Sequence, residues 1–175
     1  MALTLQFWGP ILAGAAGAAG TYGLARLGIK ALPDRRGWRQ VRPSAMHWFG
    51  LVGAGCLVCL MVYVGLFIGS ARPDAEFQMR MLWLLVGGFS LSAAVCLWQM
   101  RAINAANVSW RGPQIAFAGP DGARQLRNMA QVAGMHRPWF GSVRIAFEDG
   151  AEIRLDPHAT GVPELWNRIV EANDG

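Results

Sequence analysis

Two long uncharged apolar runs, separated by a short polar stretch, constrain this chain more than any other feature. Trp48 to Gly69 (WFGLVGAGCLVCLMVYVGLFIG) is 22 residues without a charge, and Met81 to Met100 (MLWLLVGGFSLSAAVCLWQM) is another 20. At about 1.5 Å of rise per residue, each is long enough to cross a bilayer core about 30 Å thick. The stretch between them carries Arg72, Pro73, Asp74, Glu76 and Arg80, which cannot stay in lipid. The pair predicts a transmembrane hairpin whose turn lies at a membrane surface.

Phe7 to Ala25 is also free of charge but is dominated by glycine and alanine. It gains less from lipid than a leucine-rich helix does, so it needs another helix against its small face. Gly14, Gly17 and Gly20 allow that close approach. No Lys or Arg precedes the run, as a secretory signal would require. The segment is therefore predicted as a first membrane helix, giving three in all at about 7–25, 48–69 and 81–100.

The formal charge of +5 has a single source. Arg26, Lys30, Arg35, Arg36, Arg39 and Arg42 outweigh Asp34 in the loop 26–46, while acids and bases cancel elsewhere. Such a concentration does not suit a nucleic-acid surface, which spreads basic residues over a domain. Short Arg- and Lys-rich loops stay in the cytoplasm, so this loop is expected inside, the N-terminus outside, and the C-terminal region inside. The fifteen Arg against one Lys further suggest a bacterial source. The expected location is the bacterial inner membrane. Arg35, Arg36, Arg39 and Arg42 are the candidates for contact with anionic lipid headgroups.

Within the hairpin, Trp48 and Trp98 fall at the cytoplasmic boundary and Tyr63, Phe67 and Trp83 toward the other, as aromatic belts require. Gly65 and Gly69 form a GxxxG, and Gly87 and Gly88 lie at a similar depth on the returning helix. Close packing of the two helices is expected there. Cys56-x-x-Cys59 has a metal-like spacing, but a structural zinc needs four ligands and only Cys96 could join, nearer the cytoplasmic end. These cysteines read as small buried residues, and His47 as an interfacial polar anchor.

The last part of the chain alternates like a sheet. Val143, Ile145 and Phe147 share one face, and Ala151, Ile153 and Leu155 continue it beyond Asp149-Gly150. A two-residue turn would set Phe147 against Glu152. A three-residue loop, with Gly150 left-handed at a bulge, pairs Phe147 with Ala151, Ile145 with Ile153 and Val143 with Leu155. Further strands are predicted at Asn107–Trp110, Gln114–Phe117, Ala123–Arg127 and Gln131–Arg137, with turns at Arg111-Gly112-Pro113 and Pro120-Asp121-Gly122. Val162, Leu165, Trp166, Ile169 and Val170 then mark an amphipathic closing helix. The fold class is thus membrane α-helical plus a small α+β domain, divided at 1–106 and 107–175.

The run from Trp110 to Ala172, ending IAFEDGAEIRLDPHATGVPELWNRIV, resembles the small PH-like domains of bacterial membrane proteins. The resemblance implies binding of protein segments or lipid headgroups rather than catalysis. Lipid-binding members of the wider superfamily use several basic residues around the first hairpin, whereas only Arg111 stands in that turn here.

His136 and His158 have no triad spacing, and neither an H-E-x-x-H motif nor a Gly-rich phosphate loop is present. No catalytic, cofactor-binding or metal-binding residue is assigned. The expected function is a non-enzymatic accessory, assembly or scaffold subunit of an inner-membrane complex, meeting other integral membrane proteins through its first helix. The alternative is a sensor or adaptor that binds anionic lipid through its basic loop.

Overall fold

The structure is a computed structural model that describes residues 2–28, 37–69, 73–139 and 141–173, with the backbone alone for 2–7 and 24–28. The chain forms two compact units. One comprises Met1–Gly28 and Ala45–Trp98; the other comprises Ile29–Ser44 and Gln99–Gly175. The division at 106/107 expected from the sequence thus gives way to an interleaved one, in which part of the basic loop belongs with the C-terminal domain.

The first unit is helical. It holds α1 (Ala2–Gly28), α2 (Ala45–Tyr63, continued by a π-helical turn Val64–Ile68) and most of α3 (Ala75–Ala106). Among the described residues, two helices are long and apolar enough to cross a membrane: Ala45–Ile68, of 24 residues, and Ala75–Ala106, of 32. The third expected span falls in α1, which is helical but is not one of these two. Half-buried Met79, Leu82, Val86, Phe89, Ala93 and Cys96 follow a spacing of three and four along one face of α3, while Leu84, Leu85, Leu91, Val95 and Trp98 are exposed. The helix outruns its predicted end at Met100. It stops after Ala106, where Asn107 takes φ 47°, the left-handed geometry that asparagine tolerates at a helix C-terminus.

Among its described residues, the second unit has seven strands and a C-terminal helix, besides the end of α3. In chain order these are β1 (Arg39–Gln40), β2 (Ser109–Arg111), β3 (Gln114–Ala118), β4 (Arg124–Asn128), β5 (Val132–His136), β6 (Val143–Phe147), β7 (Glu152–Leu155) and α4 (Val162–Asn173). They form two antiparallel sheets, β1-β2-β3-β4 and β5-β6-β7. The β6-β7 register is the bulged one: Val143 faces Leu155, Ile145 faces Ile153, and the Phe147 N–H donates to the Ala151 carbonyl. Only this register puts all the apolar side chains on one face. Those residues join Ile103, Trp110, Ile115, Phe117, Leu165 and Ile169 in a single core.

Strand β1 was not expected from the sequence. It lies upstream of α2 and α3 yet pairs with β2 downstream of them, Arg39 facing Trp110 and Gln40 facing Ser109. Val41 continues it, its N–H donating to the Val108 carbonyl at 2.9 Å, and Arg42 exchanges backbone hydrogen bonds with Thr160. Val41 is 1% exposed and belongs to the core, so the segment is built into the domain rather than laid on it. The Arg111 turn consequently joins the second and third strands, not the first two.

Gly161 secures the same corner. It has φ 95°, and a Cβ there would lie 2.9 Å from the Trp110 ring and 3.0 Å from the Gln40 carbonyl. At the other turns, Gly112 and Gly150 both have positive φ, 54° and 82°. The left-handed residue expected at Gly150 is thus present, and Gly112 in the Arg111-Gly112-Pro113 turn takes the same geometry.

Candidate functional site

Two arrangements carry the features singled out by the sequence: the seam between α1 and α2, and a basic recess on the β unit. The seam depends on missing side chains. A Cβ on Gly17 would sit 2.6 Å from the Gly55 carbonyl oxygen and 2.7 Å from the Cys59 sulfur; on Gly14 it would lie 3.1 Å from the Cys56 sulfur. Thr21 lies over Gly55, and its hydroxyl donates to the Gly17 carbonyl at 2.6 Å, which satisfies that hydroxyl within the contact. Tyr63 covers Gly9 at one end of the seam, and Tyr22 meets Trp48 at the other, with ring centroids 5.5 Å apart.

The other glycines fall differently. Gly65 receives Leu82 and Trp83 of α3, at 3.0 and 3.3 Å from its would-be Cβ, and Gly50 receives the Cys96 sulfur at 3.2 Å. Gly20, Gly69, Gly87 and Gly88 have nothing within 4 Å of that position. The expected Gly65/Gly69 to Gly87/Gly88 contact is replaced by larger side chains of α3 reaching the small residues of α2. Cys56 and Cys59 face α1 while Cys96 faces Gly50, so the three thiols do not converge. Among the described residues, no group of three or more His, Cys, Asp and Glu is placed to hold a metal ion. His47 is buried in α2, and His136 and His158 are exposed.

The basic candidates also separate. Arg35 and Arg36 lie outside the described residues. Arg39 and Arg42 are three apart on an extended segment, so strand alternation sends them to opposite faces. Arg39 pairs with Glu164 of α4, whereas the Arg42 guanidinium donates to Gln40 at 3.3 Å on the other face. Arg39 instead lines a recess of about 140 Å³ with Gly37, Trp110, Arg111, Gly112, Glu164 and Arg168. The sequence reading missed Glu164 and Arg168, because nothing in the spacing of the closing helix shows which strand it covers. The available signal was Val41, an apolar residue set between Arg39 and Arg42.

One carboxylate in the unit has a displaced titration. The Ala151 N–H, and after it Arg127, hold Asp149 below the usual carboxylate range.

Compared with protein-family models, with curated proteins and with solved structures, the chain matches none.

Proposed function

We propose that this chain is a non-enzymatic accessory, assembly or scaffold subunit of a bacterial inner-membrane complex, with three membrane helices and a cytoplasmic PH-like interaction domain. The observation that carries the reading is the pairing of β1 with β2 across the hairpin. A sheet that recruits strands from both flanks of α2 and α3 requires both flanks on one side of a membrane. The basic residues of the preceding loop favour the cytoplasmic side. A four-stranded and a three-stranded antiparallel sheet followed by one C-terminal helix support the PH-like reading. The α1-α2 seam supports α1 as a membrane helix, since close contact there supplies what its Gly/Ala surface lacks in lipid. The exposed apolar side of α3 suits lipid or a helix of another subunit.

Reporter fusions test the orientation: alkaline phosphatase is expected to be active at Gln78 and inactive after Gly175. Purification in mild detergent, followed by mass spectrometry, tests for the larger complex. A second reading, an anionic-lipid sensor, is favoured by exposed Arg42 three residues before α2. It expects binding to anionic liposomes that is lost when Arg35, Arg36, Arg39 and Arg42 are replaced by Gln.

A further inference from the structure

We propose that the recess between β1, the β2-β3 turn and α4 binds the phosphate group of a phosphomonoester. Three arginines reach it from three elements: Arg39 from β1, Arg111 from the end of β2 and Arg168 from the middle of α4. One carboxylate, Glu164, lines it with them and takes Arg39. Arg168 is held only at 3.5 Å by Glu171, in an exposed pair of the kind that contributes little. The Arg111 guanidinium makes no hydrogen bond or ion pair with any described residue.

The lining therefore carries two positive charges beyond its own carboxylate, and a phosphomonoester brings about two negative charges at neutral pH. Planar guanidinium groups present paired N–H donors to such oxygens, a geometry lysine lacks. The backbone keeps the recess open. Gly37 has φ 77°, and a Cβ there would lie 3.4 Å from the Arg111 side chain; Gly112, also at positive φ, has nothing within 4 Å. Glu164 is an internal anion on one side of the site, so its carboxylate opposes an incoming phosphate as well as positioning Arg39.

A soluble phosphomonoester and a lipid phosphomonoester headgroup offer the same oxygens to these guanidinium groups, and the two arms of the test separate them.

The test uses the full chain in zwitterionic detergent, with glycerol 3-phosphate and inorganic phosphate as probes at ionic strength matched with chloride. Binding is expected for the wild type. Arg111→Gln and Arg168→Gln are each expected to weaken it by about tenfold, as loss of a charge-assisted hydrogen bond implies. Glu164→Gln is expected to strengthen it, and Arg154→Gln, which removes an exposed charge elsewhere, to leave it unchanged. Melting curves without phosphate verify that each variant is folded. A second arm places the chain in phosphatidylcholine nanodiscs with and without phosphatidic acid. Arg111-dependent binding confined to phosphatidic acid supports the phosphate site and assigns it to a lipid. Equal losses in Arg111→Gln and Arg154→Gln, or no binding in either arm, overturn the proposal.

Discussion

Gly17 on α1 and Val41 beside β1 are each required by their own unit, for opposite reasons. Gly17 serves by having no side chain, since the Gly55 carbonyl occupies the space a Cβ would need. Val41 serves by having one, buried to 1% exposure among the core residues. In lipid the surroundings are as apolar as the helix, so burying more hydrocarbon gains nothing and close contact holds helices together. In water the removal of apolar surface drives folding, at about 25 cal/mol per Å². A substitution can therefore damage one unit and be tolerated in the other.

The sharpest test of this contrast removes β1 from its unit. A fragment beginning at Asn107 lacks β1 and Val41, leaving Trp110 uncovered, and is expected not to fold. Joining Gly37–Ser44 to Asn107 through a short Gly/Ser linker in place of the hairpin is expected to restore a soluble folded domain, because Val41 and Val108 are already hydrogen-bonded neighbours. Dispersed amide NMR spectra distinguish the two. Equal folding of both fragments would mean that β1 is dispensable.

Next in size is Val41→Asp in the full chain. A charge buried without a partner costs several kcal/mol, a large fraction of the roughly 5–15 kcal/mol that stabilises a domain. Amide exchange is expected to rise throughout the β unit while the helical unit keeps its protection. Gly17→Leu reverses the pattern. It forces α1 off α2, with an expected cost of about 1–3 kcal/mol seen as a lower denaturation midpoint in detergent. Gly20→Leu, with open space around it, is expected to leave the midpoint in place. Similar effects from both would show that the seam does not depend on close approach.

Within the β unit, Gly161→Ala is expected to destabilise more than Gly150→Ala or Gly112→Ala, which should be alike. All three incur the left-handed backbone cost of about 1 kcal/mol, but only Gly161 also meets Trp110 and the Gln40 carbonyl. The smallest effect belongs to Asp149. Its carboxyl is held low by the Ala151 N–H and Arg127, so the native state favours its ionised form. That contribution is present above the ordinary carboxylate pKa and is lost as pH falls through the lowered one. Asp149→Asn should melt slightly below wild type at neutral pH, and the gap should close on acidification.

Much of this architecture was legible in the sequence because its signals are local. Length and lack of charge marked α2 and α3, and alternation marked β6 and β7. The mismatch of Phe147 with Glu152 was enough to reject the two-residue turn and choose the register found. Glycine spacing marked the face of α1 but could not say that Gly17 meets α2 while Gly20 meets nothing, since that depends on the rotation of the helix about its axis.

What the sequence determined by itself is the kind of environment each segment requires, because hydropathy, alternation and charge act over a few residues. What only the tertiary structure decided is which distant segments share a unit. Arg39-Gln40-Val41 is too short to reveal itself as a strand and is separated from β2 by the whole hairpin. Its conformation is selected by the edge of β2 and by the core space that Val41 fills. The recess exists for the same reason: Arg39, Arg111 and Arg168 are far apart in the chain and meet only when β1 has joined the sheet and α4 has closed over it.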